Sequence, residues 1–325
     1  MTSDAHAGPE GRSGHRTVRL PTSADLAAAR REVSAHLTPT PVVPTSLAES
    51  ALLKVETAQP TGSFKVRGAL AALAALPPGG TAVTVSAGNH GLGIAHAATR
   101  TGRSAVVVVP ADASPTKVAK LRRYAVELVE YGHGYDEAET HALDLARAPD
   151  RVFVSPYNDP AVICGQATIG TELDAQAPGP LTVVCPVGGG GLAAGLALWA
   201  RARGDVRLIG VEAAASRAVS AAVAAGERVP VDVTDTLADG LAGNLEPGSI
   251  TPQLLAGTDF TAVTEPDLGA ALRWLFTEHG LVAEGAGAAG VAAVLAGRVE
   301  VVGRLVVLLT GRNITPVQYA AALAG

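Results

Sequence analysis

Only four of the chain's 25 basic residues are lysines: Lys54, Lys65, Lys117 and Lys120. Arginine therefore carries the surface positive charge. A lysine kept in a largely apolar stretch points to an amine that must shed its proton, which a guanidinium cannot do. Lys65 stands in such a stretch, QPTGSFKVRGALAAL (59–73), behind a Thr-Gly-Ser turn and ahead of an alanine-rich helix. Between Phe64 and Val66 its amine loses hydration, which lowers its pKa and favours the nucleophilic free base. Spacing alone serves a lysine snorkelling at a helix start equally well.

Three further constellations carry chemistry. SAGNHG (86–91) closes an apolar run and opens a helix. There backbone N–H groups form an anion site, Gly88 and Gly91 allow close approach, and Asn89 and His90 add polar side chains, so a carboxylate fits; an ordinary turn capped by Asn89 has the same appearance. PVGGGGL (186–192) repeats the pattern with Gly188, Gly189, Gly190 and Gly191. Four adjacent glycines are costly to order, so a loop that keeps them implies close backbone approach to an anion such as phosphate. Gly189, Gly191 and Ala194 also satisfy the dinucleotide pattern G-x-G-x-x-A, with Glu212 ending the next strand as a candidate ribose-binding acid. The last constellation pairs EGAGAAG (284–290) with TGRN (310–313). Glu284 sits where an acid complements a helix dipole, and the Thr310 hydroxyl, after a buried strand, needs a hydrogen-bond partner.

The elements that must hold these residues are α/β. AVTVS (82–86), SAVVVVP (104–110), LTVVCPV (181–187), RLIGVEA (207–213) and RLVVLLT (304–310) lack period-two alternation, as strands buried on both faces do. The first three lead into helical runs at 92–100, 115–124 and 192–203, giving parallel βαβ units. A further helix begins near Thr22 or Ser23, its apolar face marked by Leu26, Ala29, Val33 and Leu37. Residues 1–20 read as a mobile leader, and 147–160 and 226–250 as loops or domain crossings. No fixed-period repeat is visible.

The 325 residues suit two domains or one large α/β domain with an insert. Hydrophobic content is 48% and aromatic content 3%, so Ala, Val and Leu must build the core. A net charge of −5 with no Lys/Arg-rich run excludes a nucleic-acid surface. Cys164 and Cys185 lack metal-site spacing and read as buried structural thiols. With no signal-peptide h-region and no membrane span, a soluble cytoplasmic protein is expected.

In this order and spacing, TGSFKVRGA, SAGNHG, PVGGGGL and TGRN closely resemble the serine/threonine dehydratase family of fold-type II pyridoxal 5′-phosphate (PLP) enzymes, to which serine racemase also belongs. The resemblance runs from about residue 22 to the C-terminus. A nicotinamide enzyme has no account of the Ser-Phe-Lys segment. The resemblance implies a two-domain α/β fold like tryptophan synthase β, with parallel-rich sheets flanked by helices. Residues 21–76 and 158–325 would form a large PLP-binding domain and 77–157 a small one. It implies a Schiff base on Lys65, which also takes the α-proton. It further implies a phosphate cradle at Gly188, Gly189, Gly190 and Gly191, Asn89 on the ring hydroxyl, Phe64 and Gly240 covering the ring faces, and Thr310 on the ring nitrogen with Glu284 nearby. The substrate carboxylate would lie on Ser86, Ala87, Gly88, Asn89 and His90.

The implied reaction is β-elimination from a small β-hydroxy amino acid, L-threonine or L-serine, to a 2-oxo acid and ammonia. Arg312, where the family usually has Gly or Ala, leaves open an acidic substrate such as 3-hydroxyaspartate; the favoured alternative is a surface ion pair. A non-catalytic PLP-binding protein is a third reading, opposed by the intact Lys65, Asn89, glycines and Thr310. A homodimer is expected, and no metal: of two cation-site acids in the related racemases, Glu212 is matched, but the second position is Ala218. Those racemases also carry a serine at the position of Ala87, so poor racemisation is expected here. The family pattern reaches the last residue, so no appended regulatory domain, and no allosteric inhibition by isoleucine, is expected.

Overall fold

The computed structural model describes residues 16–324. Helix α1 (Ser23–His36) opens on a closed capping box: the Thr22 hydroxyl accepts from Asp25 N and the Asp25 carboxylate accepts from Thr22 N. Strands β1 (Val42–Pro44) and β2 (Leu52–Val55) and helix α2 (Lys65–Ala74) follow. An alternating stretch gives β3 (Thr81–Val85), α3 (Asn89–Thr101), β4 (Ser104–Val109), α4 (Pro115–Leu121), β5 (Glu127–Glu130), α5 (Gly134–Leu145) and β6 (Arg151–Phe153). Then come α6 (Pro160–Gln176), β7 (Leu181–Pro186), α7 (Gly191–Arg203), β8 (Val206–Ala213), α8 (Ala218–Ala225), α9 (Thr251–Leu254) and β9 (Asp259–Val263). The chain closes with α10 (Glu265–His279), α11 (Gly285–Leu295), β10 (Arg304–Leu309) and α12 (Pro316–Ala324).

The strands form two sheets. One has six strands in the order β1-β2-β10-β7-β8-β9, parallel throughout except for the β1–β2 pair; the other has four parallel strands, β5-β4-β3-β6. β7 is buried along its whole length, as a central parallel strand covered on both faces must be. Helix α2 packs against both α3 and α6, and Gly93 of α3 comes so close to α2 that a Cβ there would lie 3.1 Å from the Lys65 carbonyl carbon. Both cysteines are buried free thiols, and burial pushes Cys164 up to about 12.

The five expected strands all form, with ends within a residue of the apolar runs. The stretch 226–250 holds only a short 3-10 turn, Asp239–Leu241, whereas 147–160, read as loop, contains β6. Of the expected leader, 1–15 lie outside the described residues. Arg16 is held in place: its guanidinium donates to Phe153 O and Asn158 O and lies over the Phe153 ring. Val18 packs on the large core. Among the described residues, no helix is long and apolar enough to cross a membrane.

A largely buried ionic cluster, with only Glu172 partly exposed, ties α2 to its surroundings. Arg67 Nε and Nη2 donate to both Glu56 oxygens at 2.8 Å, and Nη1 and Nη2 to Glu172 at 2.6 and 2.9 Å. Lys54 Nζ of β2 reaches Glu172 at 2.5 Å, Thr40 O at 2.8 Å and Gln176 at 2.7 Å. Two cations thus face two carboxylates. Burial alone would raise the Glu56 pKa, but the charge and hydrogen bonds of Arg67 outweigh it and leave the carboxylate below its ordinary value. Two residues along a helix is a turn of about 200°, so Arg67 clamps the back of α2 while Lys65 faces forward.

Removing one partner strands buried charge. Arg67→Met should therefore lower stability to urea by about 3–5 kcal/mol. Because the folded Glu56 pKa is depressed, the cluster's contribution is present above the ordinary carboxylate pKa and fades as pH falls through the folded value. The difference between wild type and variant should shrink on acidification; a pH-independent difference below about 1 kcal/mol would count against the clamp.

Candidate active site

Seven chain segments converge where the strands of both sheets end, the usual place for a ligand in open α/β sheets. At the centre is Lys65, the first residue of α2. Its Nζ lies 5.3 Å from the centroid of the Phe64 ring and donates to Pro156 O at 2.8 Å. The amine is set deep enough that desolvation lowers its pKa to about 8, against an opposing pull from Glu284. A desolvated amine with a lowered pKa is the form in which a lysine acts as nucleophile or base.

Behind Lys65 the TGRN turn closes against the start of α2. Phe64 N donates to Thr310 O at 3.1 Å, Ser63 and Gly311 form a bridge, and Arg312 N donates to Gly62 O at 2.9 Å. Glu284, at the N-cap position of α11, does not cap that helix with its side chain. Its carboxylate instead accepts from Asn89 Nδ2 at 2.6 Å and lies so near Gly311 that a Cβ there would collide with Oε1. Burial pushes Glu284 up to about 7, with the Asn89 hydrogen bond opposing. Among the described residues the Thr310 Oγ1 makes no hydrogen bond, although the residue is 4% exposed.

The SAGNHG segment leaves β3 and enters α3. Ser86 Oγ accepts from Gly88 N at 3.1 Å, and Gly88 is the N-cap residue. Ala87 packs against the core under the four-stranded sheet. His90 is buried; desolvation, then the Lys65 charge, lower its pKa to about 3, so the ring is neutral. Its Nε2–H faces Val154 O at 3.3 Å and Nδ1 has no partner among the described residues.

The tetraglycine turn leads from β7 into α7. Gly190 has φ 86°, a conformation only glycine takes freely. A Cβ on Gly188 would lie 2.9 Å from Gly240 O, and one on Gly189 would strike the Tyr157 ring. Gly188 and Gly240 are thereby in contact, while Tyr157 adjoins the Pro156 carbonyl that holds Lys65. The Ser-Pro-Tyr-Asn segment (155–158) therefore joins the glycine turn to the lysine. Sequence reasoning missed it, since a carbonyl and a shielding ring leave no motif. Asn313, in the quoted TGRN, was also unassigned; its Nδ2 donates to Asn89 Oδ1 at 2.6 Å. A cavity of about 330 Å³ lies alongside, lined in part by Lys117, Asp239, Glu284 and Asn313. Arg312 is exposed and does not line it; no ion pair holds it among the described residues. Glu212 Oε1 accepts from Val219 N and Ser220 N at the start of α8, a structural use that replaces the ribose-binding one.

Residues 33–311 match the model of the family described as pyridoxal-phosphate dependent enzyme. The chain belongs to that family, and PLP is its cofactor. It is 39% identical over 269 residues to the L-threonine ammonia-lyase of Thermotoga maritima, an alignment covering 81% of this chain and 67% of that protein. It spans 66% and 49% of the length of the next two curated relatives. Among solved structures, a threonine deaminase from T.th. is 37% identical, with a TM-score of 0.82 and coverage of 91% and 99% of the two chains. Maize serine racemase is 25% identical, with a TM-score of 0.86 and coverage of 94% and 98%. These likenesses bear out the fold-type II α/β architecture.

The amine chemistry is directly testable in protein freed of cofactor. Acylation of Lys65 by an amine-selective reagent, followed by peptide mapping, should reach half its limiting rate near pH 8. A midpoint at the ordinary lysine value of about 10.4 would mean that the amine is not desolvated as described.

Proposed function

We propose that the protein removes the β-hydroxyl and the amino group of a small β-hydroxy amino acid, L-threonine or L-serine, releasing a 2-oxo acid and ammonia. The deep-set Lys65 amine, lowered to about 8 and joined through Pro156 and Tyr157 to a glycine turn that admits no side chain, carries this reading. The names of the T. maritima and T.th. relatives agree with it.

The residues fit PLP. Buried Ser63 Oγ has no partner among the described residues, and neither has the Thr310 hydroxyl, so hydrogen-bonding capacity is left for a bound group. Gly188, Gly189, Gly190 and Gly191 would hold the phosphate through backbone N–H groups at the start of α7. Asn89 would donate its second amide hydrogen to the ring hydroxyl, Phe64 and Gly240 would cover the ring faces, and Thr310 would meet the ring nitrogen near Glu284. When bound, the cofactor supplies an electron sink for the bond to the α-hydrogen.

The chain's own residues do the rest. Lys65, its amine lowered to about 8 and so free in part near neutral pH, takes the α-proton; a base with a pKa close to the working pH is the most effective. Ser86, Ala87, Gly88, Asn89 and His90 receive the substrate carboxylate at the α3 N-terminus, where the helix dipole favours an anion. Neutral His90 adds no charge to that site. Thr310, a neutral hydroxyl, cannot hold the ring nitrogen protonated as a carboxylate would, which suits an elimination whose leaving hydroxyl departs with the proton. The exposed Arg312 gives an acidic substrate no second anchor. We assign residues 21–76 with 158–325 to the large domain and 77–157 to the small one, and expect a cytoplasmic homodimer, with exposed Phe276 and Val317 offering apolar surface.

Purified enzyme should release 2-oxobutanoate from L-threonine and pyruvate from L-serine, and Lys65→Ala should cut the rate by about 10²- to 10⁴-fold. Undiminished release by Lys65→Ala would remove Lys65 from the chemistry. Racemisation should be slow, because a proton must return from the face opposite Lys65 and the Ala87 methyl can neither give nor take one. Chiral analysis of L-serine left after partial turnover should show little D-serine, and Ala87→Ser should raise it relative to pyruvate. D-serine accumulating as fast as pyruvate in the wild type would contradict this.

A further inference from the structure

Lys117 and Lys120 lie three residues apart on α4 and so share one face of it. Both reach from the four-stranded body to segments of the other body. Lys117 Nζ meets Asp239 at 3.1 Å, an exposed pair of the kind that contributes little. Lys120 does something else. Half-buried, its Nζ donates to Asn313 Oδ1 at 3.2 Å. Asn313 Nδ2 donates in turn to Thr61 O at 2.8 Å and to Asn89 Oδ1 at 2.6 Å. Asn89 Nδ2 then donates to Glu284 Oε1 at 2.6 Å.

The direction of this chain is fixed from both flanks of Asn313. An ammonium can only donate, so Asn313 must turn its oxygen toward Lys120. A carbonyl can only accept, so Asn313 must turn its amide hydrogens toward Thr61. Asn89 is then obliged to meet Asn313 with its oxygen and to present its amide nitrogen to Glu284. An amide nitrogen has two hydrogens, and Glu284 takes one. A flipped Asn313 would set oxygen against Thr61 O and hydrogens against the ammonium. Lys120 therefore stabilises one of two orientations at a residue it does not touch.

We infer that Lys120 is a positioning residue for the cofactor site: acting through Asn313, it fixes the orientation in which Asn89 offers an amide hydrogen to the ring. The inference rests on the proposed contact of Asn89 with the ring hydroxyl. Lys120 lies outside every motif that suggested function, and its role is visible only once α4 is packed beside the TGRN turn.

The test compares holoenzymes carrying Lys120→Met, Lys120→Arg, Asn313→Ala, the Lys120→Met/Asn313→Ala pair and Asn89→Ala. The readouts are the visible absorbance of bound PLP and the PLP dissociation constant, with thermal melting to confirm folding. Asn89→Ala should shift the absorbance, and Lys120→Met should shift it the same way but less, raising the dissociation constant about three- to tenfold. Lys120→Arg, still a pure donor, should restore most of the wild-type spectrum. In the Asn313→Ala background Lys120→Met should change nothing further. A wild-type spectrum and affinity for Lys120→Met, or an equal effect with and without Asn313, would overturn the inference. If Asn89→Ala leaves the spectrum unaltered, the reading of Asn89 falls and the inference with it.

Discussion

The guanidinium of Arg67, held between Glu56 and Glu172 with no access to water, is the fixed point of the molecule. Ion pairs this far from water contribute little net stability compared with apolar packing, because desolvation offsets their attraction. What they do supply is direction. A bidentate carboxylate on each side permits one rotation of α2 about its axis, whereas an apolar contact would tolerate several. That rotation aims Lys65, and the close approach of Gly93 on α3 keeps the helix from backing away.

Burial then acts on three titratable groups in one direction, toward neutrality. Lys65 falls to about 8, Glu284 rises to about 7 and His90 drops to about 3. The lysine and the glutamic acid come within reach of neutral pH from opposite sides, so each can change protonation state at little cost. The histidine stays uncharged. With these three groups near neutrality, the backbone N–H groups of the glycine turn and the α3 N-terminus supply the field that an anion there would meet.

Much of this was legible in the chain. The central parallel strands are unbroken apolar runs, and the motifs at their ends are the segments that converge. The strands that escaped notice have physical reasons to. β2 carries Lys54, which looks like a surface residue until Glu172 is brought beside it. β5 is an edge strand with a glutamate at either end, and β6 is three residues long inside a stretch rich in turns. Within the site, residues that act through side chains within motifs could be read. Pro156, acting through its carbonyl, and Tyr157, acting as a wall over Gly189, could not. Glu284 was visible as an acid at a helix start, but nothing local in its sequence discloses Asn89 as its hydrogen-bond donor.

The pairing of β2 with β10 has a bearing on how the chain is made. Leu52 lies beside Val306 and Val55 beside Leu309, so one of the earliest strands to be synthesised waits for one of the last. The four-stranded sheet, built wholly from residues 81–153, has no such delay. During synthesis it can assemble while β1, β2 and the lysine segment remain without their partner. Non-local parallel pairing is intrinsically slow, so closure of the larger sheet should come late. Only then is Lys65 enclosed, and a nascent chain shorter than β10 has no finished pocket in which to capture the cofactor.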